Sequence, residues 1–460
     1  MARSPRPRSA PEQRLPTALQ TVNLHAAGID IGAEEHWVAV PVGADPEPVR
    51  AFPAHTAGLM ALAAWLTVCG ITTVALESTG VYWIPLFELL EGRGFEVILV
   101  DPGTMPRNGR PKTDVHDCQW IQRLHTMGLL TAAFRPDDPV VVLRSYLRLR
   151  LTLLADAARY MQHMQKALTQ MNVKLQHVVS DITGKTGLDI IQAILDGLRD
   201  PQALAQLRDP RCKEDKETIA QALYGTWREE HLFALAQALA AYRFCHQQVR
   251  ECDSQIERQL KALPAAATAA PLPARAKRRR RNRNRPGFDP RPLLHQVSGV
   301  DLTRIEGIDE TTALNVLGEI GLDMSRWPSE KHFTSWLGLS PRHKISGGRV
   351  LSNRTRPSSN RAAAALRLAA ASLHRSHSSL GAFFRRLKSR KGTPKAITAT
   401  AHKLARLIYA MLKHGEEYVA VSLEAYEQAY RDRQVRLLSR RARELGYELV
   451  VSNEKGPELH

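Results

Sequence analysis

Four carboxylates and one serine are the side chains of this sequence best suited to chemistry. Asp30 lies inside the apolar run "AAGIDI" (26–31), where a lone charge is costly unless it is paired or bound to metal. Glu77 closes a second apolar run, "TTVALES" (72–78). Asp114 and Asp117 stand at i and i+3 in "KTDVHDCQWIQRL", so on a helix both project from one face. Carboxylates converging from two strand ends and a helix would hold two Mg²⁺ ions roughly 3.5–4 Å apart, a clamp for in-line displacement at a phosphodiester. Plainer roles exist for each. Asp114 could N-cap its helix with Asp117 favoured by the helix dipole, and Glu77 could be a surface strand end. Asp101, in "LVDPG", reads as a turn former before Pro102.

The serine is Ser346, in "FTSWLGLSPRHKISGGRVLSNRTRP". Ser-Gly-Gly after a proline-broken loop presents a hydroxyl on flexible backbone. Arg342, Lys344, Arg349, Arg354 and Arg356 surround it in sequence and suit a phosphate-rich ligand. By composition alone it is also an ordinary turn serine. His343 is placed to act as a base, although nothing in the spacing requires it.

Elements must position these groups. Residues 25–135 alternate: strands at 26–31 and 36–42, a helix at 56–69, a strand at 72–78, a helix at 83–93 and a strand at 95–101. Paired strands followed by helix–strand repeats predict an α/β domain with a mixed sheet, of the ribonuclease-H-like kind. Kinases of the actin and hexokinase type share that core. A kinase opening on "GIDIG" would need a second Asp-x-Gly turn between strands and a Gly-Gly adenosine loop, and the chain has neither.

From about 136 to 262 the pattern is helical. Leu154, Ala157, Met161, Met164, Leu168, Met171, Leu175 and Val178 keep a 3–4 spacing. Such a seam predicts either a coiled coil with a partner or packing against the later helix around 232–260. "GKTGLDIIQAILDG" is no P-loop, because Val179 stands where the first glycine belongs and no strand leads in.

Residues 263–294 form a Pro/Ala-rich and then Arg-rich linker. Eight of the eleven residues from Arg275 to Arg285, among them Lys277, Arg278, Arg279 and Arg280, are basic. A run of that kind binds phosphates without sequence preference or serves as a tether. A mainly helical domain is expected over 295–425, with Asp309 capping a helix, and a charged tail over 426–460. Residues 1–24 read as a basic, proline-rich disordered tail without a signal sequence.

A formal net charge of +18 and a pI near 9.9 point to a polyanion, nucleic acid before an anionic membrane surface. The five cysteines form no C-x-x-C pair, which implies reduced thiols in a cytosolic protein. Residues 57–76 are uncharged and long enough to span a bilayer, but Gly70 and two threonines divide them into a helix and a strand.

"GIDIG", "ALESTGVYWIPLFELLEGRGFEVILVDP" and "KTDVHD" resemble the N-terminal RuvC-like domain of the DEDD insertion-sequence transposases, the bridge-RNA-guided recombinases. The helical stretches "AILDGLRDP" and "ETIAQALYGTWREEHLFALAQAL" fit as well. The similarity covers roughly 25–262 and 295–425. It implies that Asp30, Glu77, Asp114 and Asp117 are the metal-binding D-E-D-D set. It also implies that Ser346 is the nucleophile, which forms a phosphoserine link to DNA and so allows rejoining without ATP. Acids and serine, more than 200 residues apart, would then meet by apposition of domains, within one chain or between protomers. The implied partners are element-end and target DNA, an element-encoded guide RNA and further copies of the chain as a dimer or tetramer, in the cytoplasm at the nucleoid and away from membranes. Two other readings of the residues stay open: a Mg²⁺-dependent, structure-selective nuclease similar to Holliday junction resolvases, using water, and a non-catalytic nucleic-acid-binding protein.

Overall fold

A computed structural model of the chain describes residues 22–103, 105, 113–266, 271–272, 274 and 284–450, and of 416–427 and 429 the backbone only. Lys277, Arg278, Arg279 and Arg280 lie outside the described residues. The chain divides into two compact units between Arg135 and Pro136.

In the first unit the elements run β1 (Ala26–Ile31), β2 (Glu35–Ala39), β3 (Val49–Pro53), α1 (Thr56–Val68), β4 (Thr73–Glu77), α2 (Trp83–Gly92), β5 (Glu96–Val100) and α3 (Asp114–Thr126). The strands form one sheet in the order β3-β2-β1-β4-β5. β1, β2 and β3 make an antiparallel meander, whereas β4 and β5 run parallel to β1. This mixed sheet is consistent with the expected ribonuclease-H-like fold. β3 is an addition to the sequence reading. It is short, ends in Pro53 and is only partly buried, so it lacks the apolar run that announces the inner strands.

Side-chain alternation sorts the sheet's two faces. Ile29, Ile31, Val74 and Leu76 point into a core with Leu62 and Leu66 of α1 and Leu86 and Leu90 of α2. Gly28 and Ala75, one residue out of phase, face α3. There an added Cβ on Gly28 would lie 2.1 Å from the Gln122 backbone nitrogen and 2.5 Å from the Cys118 carbonyl oxygen. Only glycine lets the helix lie this close to the strand.

The second unit begins with α4 (Asp138–Gln170). Four short helices follow, α5 (Leu175–Val178), α6 (Lys185–Leu195), α7 (Pro201–Gln206) and α8 (Lys216–Ala222), then α9 (Glu229–Ala262). Next come α10 (Pro290–Ser298), α11 (Glu310–Ile320), α12 (Glu330–Trp336), β6 (Lys344–Ser346), β7 (Arg349–Ser352), α13 (Arg361–Ser372), α14 (Ser379–Lys391), α15 (Thr393–His414) and α16 (Glu416–Glu444).

α4 and α9 pair antiparallel: Gln259 donates to the Pro139 carbonyl at 3.1 Å, and Arg150 meets Asp253 at 2.5 Å. The seam therefore lies inside the chain, where Ala157, Met164 and Leu168 are buried with Leu235, Leu239 and Tyr242 of α9. It is also broken. α4 ends at Gln170, and Asn172 takes φ +61°, a left-handed conformation that asparagine tolerates, before Leu175 opens α5. The buried Arg150–Asp253 pair holds the returning chain as well, because Arg150 donates to the Asn284 carbonyl and Asp253 accepts from the Gly287 N–H. Arg144 and Arg148 of α4 grip Glu319 of α11, with Arg148 bidentate at 2.7 and 2.8 Å. Asp309 caps α11 as expected, accepting from the Thr312 N–H at 2.9 Å. α16 is continuous through residue 425, where the sequence reading placed a boundary. Among the described residues no helix is long and apolar enough to cross a membrane.

Candidate active site and nucleic-acid surface

Asp30 and Glu77 occupy neighbouring positions on adjacent parallel strands, since Ile29 is in register with Leu76 and each carboxylate is the next residue. Alternation turns both toward the α3 face of the sheet. Asp114 is the first residue of α3 and Asp117 lies one turn in; the cap is Thr113, whose hydroxyl accepts from the His116 N–H at 3.3 Å. Asp114 is thus exposed and relieved of the capping role that its position in the sequence suggested. Between them sits Cys118, fully buried. Burial first, then the negative charge of Asp30 and more weakly that of Asp117, push its thiol up to about 12. Both carboxylates therefore act on one buried sulfur, and the thiol stays protonated and inert.

Glu77 is half-buried and its Oε1 accepts from the Thr79 hydroxyl at 2.6 Å. Asp101 is the turn residue its sequence implies, accepting from the Gly103 N–H at 2.9 Å. Among the described residues no three His, Cys, Asp or Glu side chains are gathered closely enough, as they stand, to hold a metal ion. The donor set nevertheless suits a hard divalent cation, being all carboxylate, and the backbone brings its members to one sheet edge.

Ser346 lies in the second unit, as the last residue of β6. It pairs with Arg349 across a two-residue turn whose glycines, Gly347 and Gly348, have φ +53° and +75°. Positive φ at both central residues is what a tight hairpin needs to match strand twist. The serine is therefore held on a paired hairpin, with an irregularity in register between Lys344 and Ile345, where the sequence suggested flexible backbone. Lys344, Ser346 and Arg349 share one face by register, while Ile345 and Val350 share the other, and all five are exposed. The pairing continues to Arg342, whose N–H donates to the Arg354 carbonyl at 3.1 Å. Arg342, Arg354 and Arg356 are exposed. His343 is engaged with Asn353 at 2.9 Å.

A further signal lies in the distribution of charge. From Lys331 to Gly415 there are 18 Lys and Arg residues and no Asp or Glu, so this segment alone equals the chain's formal net charge of +18. In the Arg-rich linker the charges are consecutive; here they are spread over a helical domain among buried apolar positions. The acid-free segment includes the serine hairpin and α13 to α15.

Comparison with known families gives two matches. Residues 27–173 match a DEDD transposase family model of the IS110 type, described as a transposase. Residues 301–385 match a model described as transposase of the IS116/IS110/IS902 family. The first takes in all four acids and the second Ser346. No curated protein matches the chain.

Proposed function

We propose, from the premise that the chain belongs to the IS116/IS110/IS902 family of transposases, that it cuts and rejoins DNA strands of an insertion sequence through a covalent bond to Ser346. The observation that carries this reading is the register that sets Asp30 and Glu77 side by side on adjacent strands of a mixed sheet, with α3, which begins at Asp114 and Asp117, packed against the same face. The acid-free hairpin bearing Ser346 supports it from the other unit.

In the proposed reaction the Ser346 oxygen attacks the scissile phosphorus. An Oγ–P bond forms as the serine hydroxyl gives up its proton, the P–O bond to the departing strand breaks, and that strand takes up a proton in exchange and leaves as a hydroxyl. Attack by a second strand's hydroxyl on the phosphoserine restores the free serine and joins the strands, so the phosphodiester energy is kept. Arg349, opposite Ser346, and Lys344 beside it meet the phosphate's negative charge on the same hairpin face. Asp30, Glu77, Asp114 and Asp117 would hold Mg²⁺, two ions by family resemblance, whose chemistry is charge neutralisation at the phosphate. The resemblance extends the proposal to guidance by an element-encoded RNA and to action as a homo-oligomer, dimer or tetramer. Val142 and Leu149 of α4 and Phe244 of α9, apolar and exposed, favour such an assembly.

The test is to incubate the full chain with element-end DNA, cognate RNA and Mg²⁺ and look for a protein–DNA adduct on a denaturing gel. An adduct that survives Ser346→Ala sinks the serine, and cleavage unaffected by Asp30→Ala sinks the acid site. Cleaved DNA without any adduct marks hydrolysis by water, and binding without cleavage marks a non-catalytic protein.

A further inference from the structure

Beside the serine hairpin lies a recess of about 1150 Å³, bounded by the hairpin's base and by α14 and α15. That is at or above the top of the range of small-molecule sites, roughly 300–1,000 Å³. Leu351, Phe383 and Pro394 give it apolar lining, and its cationic groups include Arg354, Lys395 and Lys403. No Asp or Glu is among its lining residues. The Phe383 ring has the Lys403 ammonium 5.0 Å and the Arg386 guanidinium 5.9 Å from its centroid. Burial, then the neighbouring Arg406 charge, holds His402 in the lining below its ordinary value despite Glu330, so the recess has neutral donors and acceptors besides its cations. A second recess, about 840 Å³ against α9, differs in including Asp253 in its lining.

An aromatic ring with apolar neighbours, in an acid-free lining rich in cations, has a specific complement. A duplex hides its base faces in its own stack and presents phosphates alone, which leaves the apolar side chains unused. A single strand presents both at once, bases to the apolar side chains and phosphates to the cations. An acidic polypeptide such as polyglutamate matches the cations but offers nothing flat to Phe383. We propose that this recess binds single-stranded nucleic acid, with an unpaired base against Phe383 and its flanking phosphates on Lys395, Lys403 and Arg354. The inference rests on the transposase reading only in taking the ligand to be nucleic acid; it assigns a site distinct from the acids and from Ser346. A strand held there would keep unpaired nucleotides beside the serine hairpin.

The full chain is titrated with a 12-nucleotide single strand, as DNA and as RNA, carrying 2-aminopurine at successive positions, and with the same strand in a duplex. The expected result is quenching at one or two positions of the single strand, lost in Phe383→Leu, which keeps apolar volume but cannot stack. Single-strand affinity falls about tenfold in that variant, and duplex affinity changes less than twofold. Lys395→Ala, at an exposed position, lowers the slope of log affinity against log salt by about 0.7 for the single strand. Equal losses on single strand and duplex overturn the proposal. So does absence of quenching, or competition by polyglutamate as strong as by an unlabelled strand. If Phe383→Leu fails to fold, the Lys395→Ala slope decides alone. Adduct formation at Ser346 is scored on the same preparations. Quenching without an adduct supports this site and counts only against the serine, while an adduct without quenching does the reverse.

Discussion

Gly28, two residues before Asp30, and Gly347–Gly348, directly after Ser346, are glycines for different reasons. At Gly28 a Cβ would fall 2.1 Å from a backbone nitrogen of α3, so space forbids a side chain. At Gly347 and Gly348 nothing lies within 4 Å, and the positive φ forbids it instead. The first belongs to a packed edge, where a strand with neighbours on both sides holds a helix against it. The second belongs to an exposed two-stranded ribbon whose geometry is set by its own turn. The acids are thus placed by tertiary packing and the serine by local backbone preference. Damage should spread through the whole first unit in one case and stay within the hairpin in the other.

The largest expected break is Gly28→Ala. Forcing a methyl between β1 and α3 costs about 1–3 kcal/mol or more, because the atoms it meets are backbone. Thermal unfolding should show the first unit melting well below the parent, and adduct formation should go with it as Asp114 and Asp117 move away from Asp30. A parent-like melting curve would mean that α3 does not pack as described.

Acidification comes next and acts on the same unit. His125 is buried with its ring 2.9 Å from the Thr73 hydroxyl, and His36 is buried in β2; burial holds both below the ordinary 6.5. The unfolded chain then takes up protons more readily than the folded one. The stability these neutral rings preserve is complete above 6.5 and is lost as pH falls through their lowered folded values. Melting temperatures at pH 7.5 and 5.5 should show the fall, and His125→Gln should reduce it. A flat profile would place these rings in contact with water.

A smaller effect is expected at the hairpin. Gly348→Ala should cost about 1 kcal/mol locally and slow adduct formation by tilting Ser346, with the melting curve of the first unit unchanged. If that curve moves, the contrast between the two regions fails. Smallest of all is Ile345→Ser. At 62 % exposure the isoleucine contributes little to folding, so stability should change by less than about 0.5 kcal/mol.

The inner strands were readable because each carries an apolar run, and the same runs made Asp30, inside one, and Glu77, at the end of another, conspicuous as charges. β3 was not readable, since a half-exposed outer strand needs no such run. Asp114 illustrates the limit of local patterns: by sequence it could be the helix cap, and Thr113, one residue earlier, takes that role. The glycines of "SGG" suggested freedom where strand pairing imposes a tight turn. The acid-free segment was visible in the residue order, but charges spaced along helices announce themselves less than the consecutive arginines of the linker.

Residue order alone supplied the candidates for chemistry: four carboxylates on two strands and a helix, a serine among cations and a charge that suits a polyanion. These depend on composition and on periodicities of two and 3.6, which are local properties of the chain. Three things were decided only by tertiary structure. The α4 seam is closed by α9 of the same chain, Asp30 and Asp117 reach one buried sulfur, and Phe383 joins scattered lysines around one recess. Each depends on residues tens of positions apart or more being brought together, and that is set by which surfaces exclude water from one another.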